Sequence, residues 1–154
     1  MRPLKVAVIG TGFGKHAAAP AYQNAGFEVD VVNPRDETSV RRALTSDVDL
    51  VSVHSPPFLH LEHVMSALDS SRAVLCDKPF GRNADEAAAM RDRAEAAGVL
   101  NFLNFEFRWK GSWAAVKQLS ADGFIGRPQH LSWTFFGSGL RGRRYGWIND
   151  RELG

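Results

Sequence analysis

A charged break interrupts the apolar segment of residues 74–80. Residues 73–76 have the composition of a buried strand, and Asp77, Lys78 and Pro79 follow it directly. A lysine whose pKa is lowered by burial or by a neighbouring positive charge can accept a proton near neutral pH, whereas an adjacent carboxylate keeps it charged. Lys78 is therefore a candidate catalytic residue, either as a base or as a charge that orients a substrate. The alternative is an exposed strand-end lysine that takes no part in chemistry.

Glycines are concentrated directly after the first apolar run of the chain, residues 6–9. An alanine-rich helical pattern follows them, and strand, glycine-rich turn and helix in this order are the context of a dinucleotide-binding fingerprint. The candidate cofactor-binding residues of this loop are Gly10, Thr11, Gly12, Phe13 and Gly14. Gly10 permits a tight turn, and Gly12 lets the backbone approach a pyrophosphate at the helix N-terminus.

The third glycine of this loop falls one residue earlier than in the G-x-G-x-x-G pattern. Lys15 stands where that pattern has a glycine that allows close packing of helix on strand. We therefore expect looser or adjusted packing at this point, and Lys15 is available to contact a phosphate. The alternative for the whole loop is a glycine-rich turn without a ligand.

The end of the second predicted strand, residues 27–32, bears on which nicotinamide cofactor is preferred. An acid there bonds the ribose 2′-hydroxyl of NAD, whereas a nearby arginine suits the 2′-phosphate of NADP. Asn33 occupies this position and Arg35 follows closely. A neutral amide does not repel a phosphate and a guanidinium attracts one, so the sequence favours NADP. Asp30 is a competing acid that would reverse this preference if it bound the ribose.

Three histidines and a basic run leave alternatives open. His60 and His63 lie three residues apart on a predicted helix, a spacing that permits a shared metal, but no third ligand is evident and no metal is expected. His54 ends a strand, where it either faces a cleft or is a structural histidine. The basic run within residues 141–145 is a small version of a nucleic-acid patch, but acids nearby and the low net charge favour a solvated loop or a phosphate contact.

Apolar runs that alternate with helical patterns predict an α/β fold with a Rossmann-type, doubly wound parallel sheet. The predicted strands are residues 6–9, 27–32, 48–53, 73–76 and 99–105, with a later one at 129–136. The predicted helices run from the glycine loop to about residue 26 and over about 37–44, 59–68, 84–97 and 112–119. Asn83 is expected to cap the fourth helix, with Glu86 as its capping-box partner and Gly98 as its end.

The chain of 154 residues has 44% hydrophobic and 23% charged residues and a net charge of +2. This is the composition of a globular protein long enough to form a core, and the charge is too small to argue for nucleic acid or a membrane surface. The apolar run near the N-terminus is too short for a signal peptide or a spanning helix. Cys76 is the only cysteine, which excludes an internal disulfide, and we expect a cytoplasmic protein.

Several motifs in their order along the chain resemble those of the Gfo/Idh/MocA (glucose–fructose oxidoreductase / inositol dehydrogenase) family. They are AVIGTGFG, DLVSVHSPPFLHLEHVMSAL, VLCDKPF, NFEFRW and WINDRELG. The resemblance that rests on them extends over essentially the whole chain. The resemblance implies an NAD(P)-dependent oxidoreductase in which a sugar, polyol or related hydroxy compound exchanges hydride with a nicotinamide. It also implies a Rossmann domain followed by an α+β domain whose sheet forms a homo-oligomer, with neither nucleic acid nor a membrane as a partner.

The resemblance assigns roles to individual residues. Residues 76–79 match the family's C-E-K-P signature with Asp77 in place of glutamate, which implies that Lys78 lies beside the nicotinamide and the reacting carbon. The other residues implied to line the cofactor site are Ser55, Pro56, His60 and Asp77. The residues implied to face the substrate are Asn104, Arg108 and Trp147. Packing of Arg108 on Trp109 is an equally good structural interpretation.

Two departures from the family pattern shape the expectations. The chain is shorter before residue 48 by roughly one helix and one strand, so the sheet is expected to lack its usual third strand and to be more open on the adenine side. The chain also stops at Gly154, where the family's glycine run would begin. We therefore expect a Rossmann domain over 1–108 and an incomplete α+β domain over 109–154, an N-terminal fragment that is inactive alone. The alternative is a nucleotide-binding module or subunit without turnover.

Overall fold

The computed structural model describes residues 2–134, 136, 150 and 153, and these fall into two compact units. The first unit comprises the described residues within 1–104 and 147–154, and the second comprises those within 105–146. The division lies shortly before the predicted domain boundary at 108/109. The assignment of residues 109–154 to an α+β domain stays a prediction.

The first unit is built on a five-stranded parallel sheet with the order β2-β1-β3-β4-β5. The strands are β1 (Lys5–Ile9), β2 (Glu28–Val32), β3 (Leu50–Val53), β4 (Ala73–Asp77) and β5 (Asn101–Asn104). The helices are α1 (Ala19–Asn24), α2 (Glu37–Thr45), α3 (His60–Asp69) and α4 (Ala84–Ala97), with a π-helical turn, Gly14–Ala18, before α1 and a 3₁₀ turn, Pro57–Leu59, before α3. The predicted α/β fold with a Rossmann-type parallel sheet is confirmed.

The helices cover both faces of this sheet. On one face Ala19 of α1 is buried with Val6 and Val8 of β1. On the other face α2, α3 and α4 bury apolar residues against the strands, with Ile9 and Val51 in the same core. Right-handed crossovers account for this division, because the chain moves outward from β1 to β2 and then back past β1 to β3. The direction switches between β1 and β3, which is where open α/β sheets bind ligands beyond the carboxyl ends of the strands.

β2 is an edge strand of this sheet. The common dinucleotide-binding order, 3-2-1-4-5-6, becomes the observed order when its outermost strand is removed. Residues 33–49, all of them described, contain one helix, α2, and no strand. The short connection therefore has the consequence expected from the sequence, and among the described strands β2 has a neighbour on one side only.

Local signals set the ends of α4, although not in the full pattern predicted. The Asn83 side chain accepts a hydrogen bond from the Glu86 N–H at 2.9 Å. Gly98 ends the helix in the left-handed conformation, with φ 62°, which glycine adopts readily. The capping box is only half formed. The Glu86 carboxylate accepts from the N–H of Arg82 rather than Asn83, because the Arg82 guanidinium holds its other oxygen.

The described part of the second unit contains a 3₁₀ turn, Glu106–Trp109, and the helix α5 (Gly111–Ala121). The predicted strand at 129–136 is wrong for residues 129–134, which pair with no strand, and residue 135 lies outside the described residues. Trp133 packs instead against Trp113, with ring centroids 4.5 Å apart. An alternating pattern does not make a strand without a partner for its backbone groups. No helix in the described ranges is long and apolar enough to cross a membrane.

Candidate cofactor-binding cleft

The carboxyl ends of four strands converge on a cleft of about 460 Å³ at the switch point of the sheet. Its walls are formed by the residues that follow β1, β2 and β3 and by the end of β4: Thr11, Gly12, Phe13, Asn33, Pro34, Arg35, His54, Ser55, Pro56, Pro57, Asp77 and Lys78. Nine of the twelve residues predicted to bind cofactor are among them. The other three, Gly10, Gly14 and His60, are buried.

The three glycines of the loop differ in what surrounds the position of an added Cβ atom. A Cβ added at Gly10 would lie 2.6 Å from the carbonyl oxygen of His54, and one added at Gly14 would lie 3.0 Å from the His54 Cβ. These two glycines therefore admit the close approach of the segment after β3. A Cβ added at Gly12 would meet no protein atom within 4 Å, so the space before Gly12 is open to a ligand. Gly14 supplies the close packing that was expected to be lost at Lys15.

The segment after β2 places Asn33 and Arg35 on the cleft. The Asn33 Oδ1 accepts a hydrogen bond from the Arg35 N–H at 3.1 Å, which orders the turn. Arg35 also lines a second cavity of about 510 Å³, between α2 and α3. There Arg41 adds a second guanidinium, while Glu37 and Glu62 add carboxylates. Arg35 therefore lies where the cleft meets this second cavity.

The Asp77 carboxylate joins the ends of three strands. Its Oδ2 lies 3.3 Å from Nδ1 of the buried His54, and its Oδ1 accepts from the Lys78 N–H at 3.0 Å and from the Asn104 side chain at 3.3 Å. Partial burial by itself would raise the pKa of Asp77. The hydrogen bond and charge attraction of His54, with the bonds from Lys78 and Asn104, outweigh burial and lower this pKa. The carboxylate is thus ionised at neutral pH and holds β3, β4 and β5 together at the cleft.

A chain of polar side chains runs from His54 back into the sheet. The His54 Nε2 lies 2.8 Å from Ser52 Oγ, which lies 3.0 Å from the hydroxyl of Tyr22 on α1. A neutral His54 that donates from Nδ1 to the ionised Asp77 has an acceptor lone pair on Nε2. Ser52 can then donate to Nε2, and Tyr22 can donate to Ser52. Sequence reasoning left His54 open and missed Ser52 and Tyr22. A polar residue inside the apolar run of β3 was the available signal for Ser52, and the residues around Tyr22 carry none.

Lys78 is exposed on the wall formed by the end of β4, and its peptide bond to Pro79 is cis. Two residues earlier, Cys76 is buried in the core. Burial, and then the negative charge of Asp77, raise the pKa of the Cys76 thiol to about 12. The thiol is therefore protonated and is not a nucleophile at neutral pH. Lys78 remains the candidate for chemistry in this run.

His60 and His63 are both buried on the first turn of α3. The His60 ring lies behind the cleft wall, with Nε2 2.7 Å from the Ser55 carbonyl oxygen and Nδ1 2.8 Å from the Pro79 carbonyl oxygen. The His63 Nδ1 lies 3.0 Å from Ser55 Oγ. Across the residues that the structure describes, no group of three His, Cys, Asp or Glu side chains is placed to hold a metal ion.

The residues predicted to face a substrate lie in different parts of the chain. Asn104 ends β5 and donates to Asp77, so it shares the sheet edge that carries Lys78. Arg108 is exposed in the 3₁₀ turn of the second unit. Trp147 lies outside the described residues. Of the two that the structure describes, Asn104 is the one that belongs to the first unit and lies at the cleft edge of the sheet.

The region that builds the cleft lies within a match to a known protein family. The family model GFO_IDH_MocA, an oxidoreductase family with an NAD-binding Rossmann fold, matches residues 4–105. The chain is 30% identical to glucose-6-phosphate 3-dehydrogenase of Bacillus subtilis, over 83% of this chain and 37% of that protein. It is 32% identical to D-xylose 1-dehydrogenase (NADP(+)) 2 of Haloferax volcanii, over 66% of this chain and 37% of that protein.

The fold is similar to that of an oxidoreductase domain protein from Kribbella flavida, with a TM-score of 0.71 and 28% identity, covering 82% of this chain and 41% of that one. The chain spans less than half the length of each of these relatives. The family match covers more than half of this chain and includes every wall of the cleft. The predicted family is confirmed, and the chain belongs to the Gfo/Idh/MocA oxidoreductases.

Proposed function

We propose that this chain is the cofactor-binding part of an oxidoreductase that transfers hydride between NAD(P) and a sugar, polyol or related hydroxy compound. The observation that carries the proposal is the cleft at the switch point, which has open space before Gly12 and an exposed Lys78 on its wall. Relatives named as dehydrogenases of glucose 6-phosphate and D-xylose support the substrate class. The chain spans less than half the length of these relatives. We therefore propose the hydride-transfer activity for the whole enzyme and cofactor binding for this chain.

The walls of the cleft fit a dinucleotide. Gly12 has no side chain to fill the space before it, and the loop leads into the helical segment 14–24, whose first N–H groups suit a pyrophosphate. Ser55 and Pro56 form a wall after β3 that we propose lies along the phosphates and ribose. A nicotinamide cofactor bound there supplies or accepts the hydride, and the protein must aim it and manage a proton.

Lys78 is the residue that we propose for the proton. Oxidation of an alcohol releases a proton, so a group within hydrogen-bond reach must take it or orient the hydroxyl. The Asp77 carboxylate is engaged by His54, Asn104 and a backbone N–H, and it therefore fixes the strand end from which Lys78 extends. Asn104, at the same sheet edge, is the neighbour that we propose faces the substrate.

We propose that NADP is preferred to NAD. Arg35 on the cleft and Arg41 on the adjoining cavity put two guanidinium groups beyond the end of β2, where they can attract a 2′-phosphate. Asp30 is an unsuitable ribose ligand because it pairs with Ala7 inside β2 and lines a different cavity, with Lys5. The Haloferax volcanii relative, which is named as an NADP(+)-dependent D-xylose 1-dehydrogenase, supports the same preference.

The second candidate function is a nucleotide-binding module that does not turn over by itself. The short span of the chain relative to its relatives favours it for the isolated chain. Separate titrations with NADPH and NADH test the step that both candidates share, and we expect saturable binding with NADPH the tighter ligand. Binding of neither cofactor would refute both. An assay on a panel of sugars and polyols then separates them, since we expect little turnover from this chain and strong turnover would exclude the module.

A further inference from the structure

The His60 side chain bridges two segments that line the cleft without reaching the cleft itself. It is 1% exposed, and its ring lies between the Ser55 carbonyl oxygen, 2.7 Å from Nε2, and the Pro79 carbonyl oxygen, 2.8 Å from Nδ1. Ser55 and Lys78, the residue before Pro79, both line the cleft. One buried ring therefore contacts the backbone of both walls.

The two contacts limit the protonation state of this ring. A carbonyl oxygen can only accept a hydrogen bond, and a neutral imidazole carries one N–H. A neutral His60 would therefore aim a nitrogen lone pair at a carbonyl oxygen less than 3 Å away. Turning the ring over would put C–H groups at these distances, well inside the ~3.3 Å expected of a C–H···O contact. Both contacts are hydrogen bonds only in the doubly protonated imidazolium.

The groups around His60 are compatible with a positive charge. From β4, the Cys76 Sγ lies 3.6 Å from Nδ1, but its thiol can donate to the Asp77 carbonyl oxygen at 3.4 Å. From α4, the buried Glu86, paired with Arg82, has its pKa lowered chiefly by that arginine and in part by His60. From α3 itself, burial and then the charge of His60 lower the pKa of His63 to about 4, which keeps His63 neutral.

The strands have no backbone link at the level of this bridge. The last residue pair between β3 and β4 joins Val53 to Cys76, and the two walls continue beyond it. Side-chain contacts of His54 with Asp77 and of His60 with two carbonyl oxygens cross the gap. The His60 ring is therefore placed to influence the spacing between the Ser55 turn and the segment that carries Lys78.

We propose that His60 is held as an imidazolium whose two N–H groups tie the Ser55 carbonyl to the Pro79 carbonyl, which makes it a positioning residue for both walls of the cleft. The positioning role rests on the proposed cofactor function, whereas the protonation state does not. His60 is buried behind the cleft wall and would act through the backbone carbonyls of Ser55 and Pro79. This role differs from the direct cofactor contact implied by the family resemblance.

Nitrogen-15 NMR of the histidine-labelled full chain at pH 7 tests the protonation state. We expect one-bond N–H correlations from both ring nitrogens of His60 and from no more than one nitrogen of His63, which serves as the internal control. The His60→Gln variant assigns the signals. A single protonated nitrogen at His60 would overturn the proposal, and this result does not depend on cofactor binding.

The pH dependence of cofactor affinity tests the positioning role. NADPH is titrated into wild type, His60→Gln and His130→Gln, the last an exposed histidine of the second unit. We expect wild-type affinity to fall at the pH where the second His60 N–H signal is lost, and His130→Gln to behave like wild type. We expect His60→Gln to bind about tenfold more weakly, a loss of ~1.4 kcal/mol, with that pH step absent.

The possible outcomes distinguish the positioning role of His60 from its protonation state and from the proposed function. An unchanged pH step in a folded His60→Gln would overturn the positioning role. If wild type binds neither NADPH nor NADH, the proposed function fails, while the NMR result still decides the state of His60. If His60→Gln does not fold, coincidence of the wild-type affinity step with the loss of the His60 signal supports the role, and a clear separation of the two overturns it.

Discussion

The His54 Nδ1 lies 3.3 Å from Asp77 Oδ2, and this contact links the end of β3 to the end of β4 at the cleft. Asp77 also receives the N–H of Lys78, so the residue that carries the proposed chemistry extends from an anchored strand end. Behind His54, Ser52 and Tyr22 continue the polar chain to α1. The wall that presents Lys78 is therefore positioned by side chains of β3, β5 and α1.

Replacing Asp77 by asparagine should destabilise the chain by about 1 kcal/mol at pH 7, because a neutral amide loses the charge-assisted bond to His54 in a partly exposed pair. Folding lowers the pKa of Asp77, so its stabilisation is present above the unfolded-state pKa and is lost as the pH falls through the folded-state value. Urea unfolding at pH 7 and at pH 3 checks this. The difference in unfolding free energy between wild type and Asp77→Asn should be smaller at pH 3 than at pH 7. An equal difference at the two pH values would contradict the proposed role of the carboxylate.

His63 should make the free energy of unfolding fall on mild acidification. Its pKa is about 4 in the folded chain, against an ordinary value of 6.5. The unfolded chain takes up this proton first as the pH falls, so the stability is full above the ordinary value and declines toward the folded one. Urea midpoints between pH 7 and pH 4 should show this slope in wild type and in His130→Gln. Retention of the full slope in His63→Gln would show that another group causes it.

Substitution of Gly10 should lower the stability of the fold, whereas substitution of Gly12 should lower cofactor affinity. Gly10→Ala puts a Cβ 2.6 Å from the His54 carbonyl oxygen and should cost about 1–3 kcal/mol of stability. Gly12→Val meets no protein atom close to its Cβ, so the chain should stay folded and lose NADPH affinity by at least about tenfold. Thermal unfolding and NADPH titration of both variants check this. Normal cofactor affinity in Gly12→Val would place the cofactor elsewhere.

Arg35→Ala should discriminate between the two nicotinamide cofactors. Loss of a hydrogen bond to a charged phosphate costs about 1.5–3 kcal/mol, which is at least about tenfold in NADPH affinity, whereas NADH has no 2′-phosphate to lose. Arg91→Ala, on the exposed face of α4, is the matched control and should change neither affinity. Equal losses for NADPH and NADH in Arg35→Ala would refute the proposed preference.

Lys78→Ala should separate cofactor binding from turnover. In a form of the protein that turns over, we expect this variant to lose activity while NADPH affinity changes by no more than about twofold, within the scatter of surface substitutions. Lys78→Arg keeps the charge but cannot give up its proton. Partial activity in Lys78→Arg would assign the lysine to orientation, and inactivity would assign it to proton transfer. A large loss of NADPH affinity in Lys78→Ala would assign it to binding instead.

The arrangement of the sheet was accessible from the sequence because its signals are local. Short apolar runs separated by helical patterns predict a parallel sheet, and the glycine loop after the first run predicts where a dinucleotide binds. Asn83 and Gly98 were predicted to bound α4 because a cap acts on groups within a few residues of itself. The residues around Lys78 could be grouped into one site, since the carboxyl ends of parallel strands share an edge.

The tertiary structure determined the contacts between residues that are distant in the chain. Gly10 is needed because the His54 carbonyl approaches it, and the buried His60 ring lies between two carbonyl oxygens. The strand predicted at 129–136 is absent over residues 129–134, because an alternating pattern gives a residue preference whereas a strand also needs a partner for its backbone groups. The sequence by itself thus determined the family, the sheet and the cleft edge. Only the packed chain determined which side chains face the cleft and which hold its walls, because burial and hydrogen bonding depend on neighbours that the linear pattern does not specify.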